Sequence, residues 1–225
     1  MDQINLVCSL GQKIFQVKND KTCAMLVPNL EAGKYTKEPR MSYPDEPLRC
    51  TIVAIGDSRA ICFGYWLLDG LRPWMYDAVK DSWSQSVPVK GQLPEMADTR
   101  MRERGVSGCY LGGSVYAFGG QNVRWGTPLG IEKLELDGAE PWSDDAKWEV
   151  ISLDYFPFLN MWPVVCPLNE KDIFLFDSVS PYNSAECIMM GVSKYKKDFG
   201  YVYDTETRTV ETVFSGKLSI ANPHN

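Results

Sequence analysis

The feature that most constrains this chain is a hairpin pattern that recurs four times. It runs first as Cys8-Ser9-Leu10-Gly11-Gln12-Lys13-Ile14-Phe15-Gln16-Val17 and returns from Val53 to Gly64, from Cys109 to Gly120 and from Cys166 to Asp177. Each copy is an apolar strand, a turn opened by Gly or Asn, and a second apolar strand. Gly and Asn are the residues that tolerate the left-handed backbone of tight hairpin turns. A second element follows each hairpin: Ala24–Val27 then Tyr35, Trp74–Asp77 then Trp83, Ile131–Asp137 then Trp148, and Gly200–Asp204 then Val210. Each of these is a strand, a polar reversal and a strand opened by an aromatic or β-branched residue, so every unit holds four strands. The turns open at positions 11, 56, 112 and 169, which gives spacings of 45, 56 and 57 residues. Four-stranded units repeating at about 50 residues are the signature of propeller blades. The expected fold is therefore all-β, a propeller of four four-stranded blades covering roughly 1–45, 46–99, 100–158 and 159–216.

Composition agrees and narrows the chemistry. Hydrophobic residues are 44% of the 225, enough for a core, and 18 Gly with 14 Pro suit short strands and turns. A net charge of −6 argues against a nucleic-acid partner, which would need a concentrated positive face. No apolar run approaches 18 residues, and Met1-Asp2-Gln3 lacks the basic-then-apolar opening of a signal peptide, so neither membrane nor secretion is expected. Seven cysteines without a CxxC pair point to free thiols in a reducing compartment, the cytoplasm or nucleus. Cys8, Cys109 and Cys166 recur three residues before the turn and read as inward packing positions rather than redox chemistry.

The single histidine is His224. Histidine is the usual general base and metal ligand near neutral pH. Its absence from the body of the chain removes Ser-His-Asp, Cys-His and His-rich metal sites together. Gly56-Asp57-Ser58 matches the opening of a GDS-type esterase block, but Ser58 has no base nearby and aligns with Ser114 at a hairpin turn. Asp45-Glu46 and Asp144-Asp145 lie in polar stretches between units without the spacing of a calcium loop. No catalytic residue, metal or cofactor is expected.

The units also carry a family resemblance. Val115-Tyr116-Ala117-Phe118-Gly119-Gly120, the later Trp148, and the connector Leu93-Pro94-Glu95-Met96 leading to Arg100 resemble kelch repeats. The second unit keeps Tyr76, Asp77 and Trp83 but has Gly64-Tyr65 where two glycines belong, and the fourth has Phe176-Asp177 there and Val210 in place of Trp. The resemblance implies a scaffold whose function sits on loops at the two faces. It admits enzymes too: copper radical oxidases, which need histidine ligands, and sugar epimerases, for which Glu and Arg would have to serve. It also admits the substrate-recognition half of a ubiquitin ligase. The first unit opens within about ten residues of Met1, so an F-box or BTB region would have to come from another chain.

In the interaction-module reading, five residues are candidates for binding a protein partner. Arg124 and Trp125 follow the double glycine on the loop between second and third strands, an Arg-Trp pair of the kind that anchors interfaces unless Trp125 folds back over its blade. Arg72 and Tyr182 occupy the equivalent loops of the second and fourth units. Arg102, in the basic run Arg100–Arg104 of the connector, either grips an acidic group or braces adjacent blades. Trp83 and Trp148 are expected to fill the wedge between blades, and the Tyr76-Asp77 and Tyr203-Asp204 pairs to put a ring inward and a turn-forming carboxylate at the strand end. Four units close as a compact ring, with Lys217–Ile220 as a latch on the first blade, or leave an open arc that a second copy in a homodimer, or a partner chain, completes. The closed monomer is the expectation.

Overall fold

A tight hairpin keeps its strands in register only if the turn residues accept the required backbone. The computed structural model, which describes residues 5–44, 50–64, 73–85, 102–122, 130–136, 148–152, 163–176 and 198–215, shows each turn meeting that demand. Gly11 sits at φ 57°, Gly56 at 61°, and Gly112 and Gly113 at 57° and 80°. In the fourth hairpin Asn169 does the work with its side chain, accepting the backbone N–H groups of Lys171 and Asp172 at 2.9 Å each. Ser58 lies in the second turn, where its carbonyl accepts the N–H of Ala78 at 2.7 Å, a structural role.

These hairpins build sixteen strands: β1 Asn5–Leu10, β2 Lys13–Lys18, β3 Cys23–Asn29, β4 Lys34–Arg40, β5 Cys50–Ile55, β6 Arg59–Gly64, β7 Trp74–Asp77, β8 Ser82–Gln85, β9 Arg102–Leu111, β10 Ser114–Asn122, β11 Gly130–Glu135, β12 Trp148–Ser152, β13 Val164–Pro167, β14 Asp172–Phe176, β15 Asp198–Asp204 and β16 Thr209–Ser215. They form four antiparallel four-stranded sheets, each a meander of consecutive strands. The all-β, four-blade architecture read from the repeats is the observed one. The first blade takes all four of its strands from Asn5–Arg40, and the proposed latch at 217–220 lies outside the described residues.

Side chains alternate across a strand, so each blade has one face toward the preceding blade and one toward the following. Three cores occupy the three junctions. Leu6, Phe15, Val17 and Met25 of the first blade meet Ile52, Ala60, Cys62 and Tyr76 of the second. Val53, Ile61 and Phe63 meet Val115, Ala117 and Leu134 of the third. Cys109, Tyr116, Phe118 and Ile131 meet Ile173, Leu175, Tyr201 and Tyr203 of the fourth. No such core among the described residues joins the fourth blade to the first, so the sheets are not closed into a ring. The closed four-blade monomer is thereby corrected to an open series.

The first junction is the most aromatic. Phe15 and Tyr76 stack with centroids 4.2 Å apart and planes 4° from parallel. Trp83 fills the wedge as expected, its ring 5.0 Å from Tyr76, 6.0 Å from Phe15 and 4.8 Å from Tyr43. Its indole N–H donates to the Met41 carbonyl at 3.1 Å, tying the second blade to the segment that leaves the first. The Tyr-Asp pairs also behave as read. Tyr76 and Tyr203 are fully buried, while Asp77 accepts the N–H groups of Val79 and Lys80 and Asp204 those of Glu206 and Thr207. The N–H of Thr207 and the ammonium of Lys171, 2.9 Å away, hold the Asp204 carboxyl at about 2.

The two tyrosines differ in one respect. Tyr76 donates its hydroxyl to Asp81 at 2.7 Å, whereas the Tyr203 hydroxyl is buried without a hydrogen-bond partner among the described residues and its pKa is pushed up to about 12 by burial. Losing a hydrogen bond to a charged acceptor costs roughly 2 kcal/mol, while deleting an unsatisfied buried hydroxyl removes a desolvation penalty. Tyr76→Phe should therefore lower the melting temperature by several degrees, and Tyr203→Phe should leave it unchanged or raise it. Thermal unfolding of the two variants followed by circular dichroism checks the contrast, and equal losses would refute it.

Candidate interaction surfaces

A strand with apolar residues on both faces needs cover on both. Leu6-Val7-Cys8 in β1 and Ile173-Phe174-Leu175-Phe176 in β14 are runs of this kind. They belong to the first and fourth blades, each of which, among the described residues, has a packed neighbouring blade on one side.

The ladder register locates the positions left without cover. Counting back from each turn, Cys8, Val53, Cys109 and Cys166 are equivalent, and their partners across the hairpin are Phe15, Ile61, Tyr116 and Phe174. In the first three blades Phe15, Ile61 and Tyr116 are buried against the following blade. In the fourth, Cys166 is exposed and Phe174 only half-buried. The same face carries Val164, 56% exposed, and Phe214, 52% exposed, with the Phe174 and Phe214 rings edge-on at 6.1 Å. The inward position expected for Cys166 is thus corrected: the side chain points where the next blade would stand. Gly200 stands opposite Phe214, where an added Cβ would run into the Phe214 side chain and push the ring aside.

The first blade mirrors this on its other face. Val7 is equivalent to Ile52, Gly108 and Val165, and Ile14 to Ala60, Val115 and Ile173. Ala60, Val115 and Ile173 are fully buried, but Val7 is 51% and Ile14 40% exposed. Leu26, beside Ile14, takes the place that Tyr76, Leu134 and Tyr203 fill in the other blades. Both free faces also bear charge of one sign at their strand positions. Lys18 and Lys37 lie on the first, and Asp172, Asp204 and Glu211 on the fourth.

Of the sequence-predicted binding residues, the structure describes only the backbone of Arg102. It lies in β9 opposite Asn122 rather than in a connector, because β10 continues through Gly119 and Gly120 and carries the hairpin two residues further. Arg72, Arg124, Trp125 and Tyr182 lie outside the described residues, as do Asp45, Glu46, Asp144 and Asp145. Among the described residues no three His, Cys, Asp or Glu side chains gather as metal ligands. These thiols are poor nucleophiles: burial pushes Cys8, Cys23 and Cys109 up to about 12 and raises Cys62 well above the ordinary thiol range.

No model of a known protein family matches the sequence, and no curated protein matches it. Solved structures resemble this chain to differing degrees. YjhT superposes with a TM-score of 0.60 at 10% identity, covering 98% of this chain and 66% of that one. TolB from Acinetobacter baumannii gives 0.49 at 14% identity over 94% of this chain and 44% of its own. A fungal alcohol oxidase of the AA5 family, in complex with copper, gives 0.49 at 10% identity over 95% and 53%. The chain therefore spans about half to two thirds of the length of the proteins it matches, and the likeness to YjhT is one of fold.

The exposed and buried thiols should separate cleanly in reactivity. On the folded protein at nanomolar concentration, where the end faces are uncovered, iodoacetamide should alkylate Cys166 at least tenfold faster than Cys8, Cys23, Cys62 or Cys109, whose thiolate form is suppressed by burial. Peptide mapping by mass spectrometry reads the order, and faster labelling of Cys109 than of Cys166 would contradict this register.

Proposed function

We propose that this chain is a protein-binding scaffold, a kelch-like propeller segment that presents surfaces to protein partners and performs no chemistry of its own. The observation that carries the reading is the apolar surface left on the end blades: Ile14 faces water where its equivalents Ala60, Val115 and Ile173 are fully buried, and Val7, Val164 and Phe214 are exposed as well. Contiguous exposed apolar surface rimmed by charge is the mark of protein interaction sites. The titratable groups support the same side of the choice. Tyr203 and the buried cysteines are held in their neutral forms by burial, which suits packing and not proton transfer. The described cysteines are all free thiols, which supports a cytoplasmic or nuclear setting.

In this reading Arg72, Arg124, Trp125 and Tyr182 are loop anchors for a partner, and Arg102 stands at the start of β9 nearby in the repeat. Aromatic and arginine side chains dominate binding energy because they bury large area and satisfy several hydrogen bonds at once.

The double substitution Arg124→Ala with Trp125→Ala should leave the melting temperature within about 2 °C of wild type, since the reading places both on a loop rather than in a junction core. It should weaken capture of a given partner at least tenfold, about 1.4 kcal/mol. Immobilised wild-type and variant proteins compared by quantitative mass spectrometry test this. A partner held equally by both would remove the loop assignment, and turnover of a sugar by the wild type would overturn the non-enzymatic reading.

A further inference from the structure

Taking the scaffold reading as its basis, we propose that the partner of the two end faces is a second copy of this chain. The fourth blade of one copy packs on the first blade of the other, twice over, giving a two-fold ring of eight blades.

The internal junctions define what each end face accepts. At the second junction Val53, on the face toward the following blade, stands over Gly108, whose added Cβ would lie 3.2 Å from a Val53 methyl. Cys166 is the register equivalent of Val53, and Val7 of Gly108. The first blade thus presents the kind of face that the fourth is built to receive, and every copy carries one of each. A head-to-tail contact of this type closes when both ends are used at once, and eight blades lie within the range of propeller rings.

Charge selects the same pairing. Like faces would set Lys37 against Lys37 or Glu211 against Glu211, whereas head-to-tail docking sets the lysine face against the acidic one. The third and fourth blades already show the pattern. Glu149, on the outermost strand of the third blade, pairs with Arg208 of the fourth at 3.2 Å. Glu211 holds the register position of Glu149: each sits across from the third-strand neighbour of the equivalent residues Tyr116 and Phe174. The first blade offers Lys37 on its own outermost strand, on the free face beside Leu26.

The test is light scattering on the purified chain after size exclusion, with variants at each face. Wild type should run at twice 25.4 kDa at micromolar concentration. Val7→Asp and Cys166→Asp, both at exposed positions, should each be monomeric with unchanged circular dichroism. Mixed together they should recover a dimer, because one intact junction then forms between the unmodified faces. A register disulfide gives an independent check. Val7→Cys oxidised with diamide should yield a covalent dimer whose new thiol is joined to Cys166 of the other copy, and Cys166→Ser should abolish that species. A wild type that stays monomeric at about 100 micromolar, a dimer that the mixture fails to restore, or open polymers in place of a dimer would each overturn the ring. The Arg124 and Trp125 experiment would be unaffected by such a result, so the two readings fail separately.

Discussion

The structure depends on one constraint: a blade of this kind is apolar on both faces and is covered only by its neighbours. A sheet that met water on one side would alternate apolar and polar residues along each strand. Here Ile173, Phe174, Leu175 and Phe176 follow one another without interruption. Each meander is therefore half a core twice over, and its stability comes from stacking. That is why the three junctions hold nearly all of the buried apolar side chains.

Within that constraint the junctions are not equivalent. The first is held by aromatic stacking of Phe15 on Tyr76 and by Trp83, which also reaches back to the Met41 carbonyl. The second is narrow, with Gly108 letting Phe63 and Val53 approach the neighbouring backbone. A side chain at 108 would meet the Tyr116 carbonyl at 2.8 Å and the Phe63 ring at 2.9 Å, so the blades would have to part. The third relies on Tyr203, edge-on to Tyr116 and Phe118, and on the rim pair of Arg208 with Glu149. Aromatic bulk fills the first junction and a glycine opens the second, so one repeat plan is packed in different ways.

Much of this was legible in the residues, because turn chemistry and strand alternation are local. Gly11, Gly112 and Asn169 announced the hairpins, and Tyr76-Asp77 and Tyr203-Asp204 announced a buried ring beside a turn carboxylate. Trp83 was readable as a wedge because a ring of that size has few other places to go. What failed was everything that depends on a neighbour. Cys166 looked like Cys8 and Cys109 because the hairpin around it is the same, but burial is supplied by the following blade, which no local pattern encodes. The closed ring failed for the same reason. Arg102 was set in a connector because Gly119 and Gly120 looked like a strand end, whereas the β9–β10 ladder runs past them to Asn122. The candidate surface was half visible: the unbroken apolar runs at Leu6–Cys8 and Ile173–Phe176 called for cover on two sides, and only one side receives it.

Repeat proteins that end in water normally finish with capping units whose outer faces are polar. The end blades here are not built that way. Val7, Ile14 and Leu26 keep the apolar character of Ile52, Ala60 and Tyr76, and Val164, Phe174 and Phe214 continue it on the far side with two aromatic rings. An end face left bare would gain nothing from side chains of this size, and exposed apolar sheet surface is a liability that natural β-proteins suppress with charge. The charges present do something narrower. Lysines on the strands of one face and carboxylates on the strands of the other, with Lys171 at the turn offsetting Asp204, deter association of like faces while leaving the unlike pair attractive. Apolar content sets how strongly the ends must be covered, and the sign of the charge sets by what.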